Sequence, residues 1–233
     1  MFVNQPLQKA AEDFRYLLNR TYPRKLSLEL VGNRYQLNAD ERHLLHRGIF
    51  SDKDSEWRKV KKIPFYQIRN NDLAIDGYNV IITIESALLG KPLVLGDDGF
   101  IRDISGLSGD FKRSKTTDEV IQLILDALKK TTPHTILFLF HAPISKSGAL
   151  AQEVRNRMKQ GGLPGDAQAI KVPEKILIGF SGVVATSDTV IIDQSEKAVD
   201  LAATILRQER KLHSLLYLRK TSPSPLTTKT SKR

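Results

Sequence analysis

Apolar residues recur at three-to-four spacing over residues 7–19, where Leu7, Ala10, Ala11, Phe14, Leu17 and Leu18 predict a helix. Tyr22-Pro23 ends it, because the residue before a proline is pushed out of the α region. A second apolar segment runs from Leu26 to Leu37. A third opens at Asn38, which pairs with Glu41 as a capping box ahead of Leu44, Leu45 and Ile49. Residues 1–50 therefore read as a small helical head, and the polar stretch 51–71 as a connector. From Asp72 the pattern changes. Short apolar runs at 73–75, 93–95, 136–140, 168–172 and 183–185 are candidate strands, and 79–89, 117–130, 147–160 and 195–208 are candidate helices. Thr116 and Glu119 are a capping signal for the second of these helices. Alternating strands and helices predict a three-layer α/β domain with a mostly parallel sheet over 72–212. Residues 213–233 are rich in Thr, Ser, Pro and Lys towards their end and predict a disordered basic tail.

The net charge of +10 is unevenly spread. Residues 1–71 carry 14 Lys/Arg against 8 Asp/Glu, residues 72–217 carry 17 against 18, and residues 218–233 carry 5 against none. Clustered cations favour polyanions, since neutralising phosphates releases counterions. In the head, Arg20, Arg24 and Arg34 are interleaved with Tyr16, Tyr22 and Tyr35, which suits a nucleic-acid backbone, RNA being the expected partner. The absence of cysteine excludes disulfides, thiol catalysis and thiolate metal sites. No apolar run approaches the ~20 residues that span a bilayer. The first residues lack the basic and apolar regions of a secretory signal, so a cytoplasmic protein with no membrane partner is expected.

The chemistry is expected at strand ends. Leu73-Ala74-Ile75-Asp76 delivers a carboxylate to the edge of the sheet, and Gly77-Tyr78-Asn79 follows. Val183-Val184-Ala185-Thr186-Ser187-Asp188 repeats the arrangement late in the chain. Carboxylates meeting at the carboxyl edge of a parallel sheet repel unless a cation bridges them, and Mg²⁺ or Mn²⁺ is the natural choice. Asp97, Asp98 and Asp103 lie between the two strand ends, and Glu85 lies on the helix after Asp76; from these, Asp98, Asp103 and Glu85 are the further candidate ligands. Each also has a structural reading, as a solvated acidic turn or a surface glutamate. Ser145 and Ser147 are candidate caps of the helix that follows them. Its amino end, with Ser145 and Lys146, suits a phosphate, although the loop lacks P-loop spacing.

Ile75-Asp76-Gly77-Tyr78-Asn79-Val80, together with Ala185-Thr186-Ser187-Asp188, resembles the strand-end motifs of the PIN and NYN nucleases. The resemblance implies a Rossmann-like (PIN-like) domain that cleaves RNA with Mg²⁺ or Mn²⁺. It assigns Asp76 and Asp188 as metal-binding acids and Asn79 as the amide supporting the first. His141 departs from the pattern, standing at a strand end where an aspartate is expected. Over roughly residues 10–210 the chain also resembles an uncharacterised family of two-part proteins of unknown function, through Leu18 to Arg24, Val31 to Tyr35 and the Asp-Gly-Tyr-Asn turn. The expected activity is a metal-dependent nuclease acting on RNA or another phosphodiester. The alternatives are a nucleic-acid-binding module with little or no catalysis and a phosphatase-like hydrolase.

Overall fold

The structure is a computed structural model that describes residues 3–104 and 111–219. Four helices form the head: α1 (Gln5–Asn19), α2 (Arg24–Arg34), α3 (Ala39–Gly48) and α4 (Asp52–Lys61), followed by a 3-10 turn at Phe65–Ile68. The Asn38–Glu41 capping box starts α3 as the spacing predicts. Within the connector 51–71, residues Asp52–Lys61 form the helix α4. Its buried positions are Ser55 and Arg58, so no apolar stripe betrays it.

The chain then alternates through β1 (Asp72–Asp76), α5 (Gly77–Leu88), β2 (Leu93–Leu95), β3 (Ile101–Asp103), α6 (Lys115–Thr131), β4 (Thr135–His141), α7 (Ser147–Gln160) and β5 (Gly165–Ile170). It finishes with α8 (Pro173–Ile178), β6 (Val183–Ala185), α9 (Thr189–Gln194), β7 (Lys197–Val199), α10 (Leu201–Gln208) and β8 (Leu215–Tyr217). Five strands make a parallel sheet in the order β5-β4-β1-β6-β7. In the central strand Ile75 stands opposite Phe138 of β4 and Ala185 of β6. Side chains alternate across the sheet. Leu73 and Ile75 therefore enter the larger core with residues of α5, α6, α7 and α10, while Ala74 joins Leu177 of α8 and Ile191 of α9 on the other face. The three-layer α/β architecture is the one expected.

Several local expectations need correction. Residues 195–208 divide into β7 and α10, with the Asp200 side chain capping the helix through the Ala203 amide at 3.0 Å. The capping box of α6 is Ser114 with Thr117, not Thr116 with Glu119. Residues 93–95 form β2 in a separate small sheet ordered β3-β2-β8. Leu215–Tyr217, expected in a disordered tail, pairs with β2 as β8; residues 220–233 of that tail lie outside the described residues. The small sheet joins the head. Val94 and Leu218 sit in one core with Leu7, Phe14, Leu44 and Leu45. Among the described residues no helix is long and apolar enough to cross a membrane.

Candidate active site at the carboxyl edge of the sheet

The strand order places a topological switch point between β1 and β6. From β1 the chain fills the sheet on one side through β4 and β5, then returns to the other side of β1 with β6 and β7. The crevice outside the carboxyl ends at such a point is where open α/β sheets bind ligands. Asp76 ends β1, and Asp188 follows β6 by three residues. Both line a cleft of about 220 Å³, together with Asn79, Asp103, His141, Glu174 and Arg47.

Local geometry explains why these residues meet. Gly77 lets α5 start directly on the strand, since a Cβ there would lie 2.4 Å from the Phe140 ring. Asn79, in the first turn of α5, crosses to the neighbouring strand end. Its Oδ1 accepts from the Ser187 backbone N–H at 2.9 Å and from the Ser187 hydroxyl at 3.0 Å. The Thr186 hydroxyl donates to Asp76 Oδ2 at 2.9 Å and accepts from the Asp188 amide at 3.0 Å. Asp188 Oδ1 caps α9 through the Val190 and Ile191 amides at 2.8 and 3.2 Å. The two acids are thus fixed by one small hydrogen-bonded junction between adjacent parallel strands.

Burial, reinforced by the negative charges of Asp188 and Glu174, pushes the Asp76 carboxyl up to about 7; the Thr186 hydroxyl and the Asn79 backbone amide work against it. A carboxyl held this way is poised near neutrality and is more readily ionised when a cation is at hand. Among the described residues, no group of three or more His, Asp or Glu side chains stands where it could hold a metal ion. The cleft lining offers the carboxylates of Asp76, Asp103, Glu174 and Asp188 and the imidazole of His141. Two carboxylates suit Mg²⁺, which takes one or two of them and fills its remaining positions with water and substrate phosphates.

Other predicted site residues lie elsewhere. Asp98 is fully buried, bonded bidentately to Arg102 at 2.8 and 2.7 Å with Arg58 at 3.5 Å. Burial alone would raise its carboxyl, but the Arg102 charge and hydrogen bonds hold it below the usual range. It serves the fold, and the Arg102 Nε reaches on to the Ser187 carbonyl at 2.8 Å, steadying the strand end that carries Asp188. Asp97 is bound to Arg15 at 2.8 and 2.9 Å. Glu85 accepts from Ser114 and Thr117, each at 2.9 Å, and anchors the start of α6 instead of facing the cleft. Arg24 donates to the backbone carbonyls of His46 and Ile49. Arg34 stands 3.6 Å from Asp13. Arg20 lies 3.6 Å from the centroid of the exposed Tyr16 ring. Ser145 and Lys146 are exposed in the loop before α7, next to Ile144, which lines the cleft. Neither serine caps α7: Lys146 takes the cap position and the Ser147 hydroxyl donates to the Ala142 carbonyl at 3.0 Å. Arg47 and Glu174 carried no local sequence signal, because one arrives from the head and the other from the two-turn helix α8.

Comparison with known proteins agrees with this two-part layout. Residues 65–204 match the family described as Domain of unknown function (DUF5616), and residues 6–61 match Protein of unknown function (DUF434). An uncharacterized protein of Methanocaldococcus jannaschii is 35% identical over 207 residues, covering 88% of this chain and 99% of its own. No solved structure matches the chain. A DUF434 head joined to a DUF5616 α/β domain places this chain in that two-part family of unknown function.

Proposed function

We propose that the chain hydrolyses phosphodiesters with a divalent cation, RNA being the expected polymer. The observation that carries this reading is the pairing of Asp76 and Asp188 at the switch point, in one cleft, each carboxylate within reach of the other's field. Asp76 and Asp188 would hold Mg²⁺ or Mn²⁺. Bound there, the ion would activate water and offset charge on the phosphate. Asn79 keeps the two strand ends in register through Ser187. Thr186 orients the Asp76 carboxylate. His141 and Asp103 also line the cleft. The likeness of the two strand-end motifs to those of PIN and NYN nucleases supports the same reading. Exposed Tyr16, covered on one face by Arg20, offers a stacking surface for unpaired bases.

The test incubates labelled single-stranded and structured RNA with the full chain in Mg²⁺, Mn²⁺ or chelator, beside Asp76→Asn. Cleavage that needs the metal and is lost in Asp76→Asn supports the proposal; no metal-dependent cleavage defeats it. His141 in place of an acid favours a second reading, a nucleic-acid-binding module, whose mark is salt-sensitive RNA binding with no cleavage.

A further inference from the structure

We propose that the helical head completes the cleft: Arg47 of α3 grips the phosphate oxygens of a ligand seated against Asp76 and Asp188. The proposal rests on the phosphodiester reading for its ligand class and goes beyond it by making the head part of the site.

The other head arginines near this region are committed to the fold. Arg15 is bound to Asp97, Arg58 to Asp193 and Asp98, and Arg24 to two backbone carbonyls. Arg47 differs. It lines the cleft, and among the described residues its only side-chain hydrogen bond runs from Nε to the Asp103 carbonyl at 3.2 Å. Burial and the neighbouring Arg102 charge push its pKa down, while Asp188, Asp103 and Asp76 pull it up; Arg47 and these three acids line the same cleft. Arginine is suited to this position: it stays charged, and its planar fork matches two phosphate oxygens at once.

The placement is built into the docking of α3. A Cβ on Gly48 would lie 2.6 Å from Val94 Cγ2, so glycine lets the end of α3 press onto β2. The Asp97 amide donates to the Gly48 carbonyl at 2.8 Å, and the Phe50 amide donates to Asp97 Oδ2 at 3.1 Å. The loop between β2 and β3 therefore holds the helix end that carries Arg47. A cation brought from the head to a cleft that also holds acids from β1 and β6 suits a phosphate ligand, whose charge the arginine would offset beside a divalent ion held by the acids.

The test measures binding of AMP and of inorganic phosphate to the full chain in Mg²⁺ by calorimetry, for wild type, Arg47→Gln, Arg47→Lys and Arg47→Ala, with RNA cleavage assayed in parallel. Arg47→Gln should weaken AMP by about tenfold or more, Arg47→Lys by less, and added guanidinium should restore affinity to Arg47→Ala. Rescue by guanidinium separates a ligand contact from lost folding, because a misfolded site has nothing to rescue. Metal-dependent cleavage and AMP affinity both unchanged in folded Arg47→Gln would overturn the inference and leave the hydrolase reading standing. AMP binding that is lost in Arg47→Gln, in a protein that cleaves nothing, would support the inference and remove the hydrolase reading. A wild type that neither binds AMP or phosphate nor cleaves RNA would overturn both.

Discussion

Asp76→Asn separates the electrostatics of the cleft from its shape, since asparagine keeps an oxygen able to accept from Thr186. In the unfolded chain the carboxyl ionises near its ordinary 3.8, whereas the folded protein raises it to about 7. Below pH ~4 the group is neutral in both states and wild type and variant share the same balance. As pH rises from ~4 to ~7 the unfolded chain ionises first, so the folded protein progressively loses stability. Above ~7 both states are ionised and the loss is complete. At about 1.36 kcal/mol for each pH unit, the full effect is on the order of 4 kcal/mol. Urea unfolding in chelator, at pH values from 4 to 9, should show Asp76→Asn gaining on wild type across this window and levelling off above neutrality. Mg²⁺ should then stabilise wild type, but not the variant, at pH 8. A stability difference that does not change with pH, or a variant weaker than wild type at pH 8 in chelator, would refute the reasoning.

Asp98→Asn leaves Arg102 without its buried counter-charge, while Arg58 keeps Asp193, and should cost roughly 3–5 kcal/mol in urea unfolding, with Mn²⁺ affinity at the cleft unchanged. Glu85→Ala removes the acceptor for Ser114 and Thr117 and should cost about 1–3 kcal/mol by the same measurement, again with metal affinity intact. Gly77→Ala drives a methyl into the Phe140 ring and should lower stability by about 1–3 kcal/mol, read from the thermal midpoint.

The strands that carry the site were legible because their signals are local. Ile75 and Ala185 end short apolar runs; Asp76 follows the first directly, and Thr186-Ser187-Asp188 follows the second. That the two ends meet follows from strand order, which periodicity does not encode. Helix α4 was hidden because it buries Ser55 and Arg58, residues that read as solvent-facing. The run from Ser195 to Gln208 looked like one helix because β7 spans three residues and Asp200 marks the break only through its side-chain cap. Asp98 and Arg102 are four residues apart, so their pairing could be suspected from the sequence, but Asp97 finds Arg15 from 82 positions away. Arg47 enters the cleft only once α3 docks on β2, a contact no local pattern announces.

Manganese binding, followed by the electron paramagnetic resonance of the free ion, tests the central claim most directly. Asparagine also caps helices well, so Asp188→Asn removes a charge while keeping the start of α9. Wild type and Asp98→Asn should bind Mn²⁺ saturably, and Asp76→Asn and Asp188→Asn should each lose that binding. Wild type that takes up no Mn²⁺, or variants at Asp76 and Asp188 that bind it as tightly as wild type, would contradict the account.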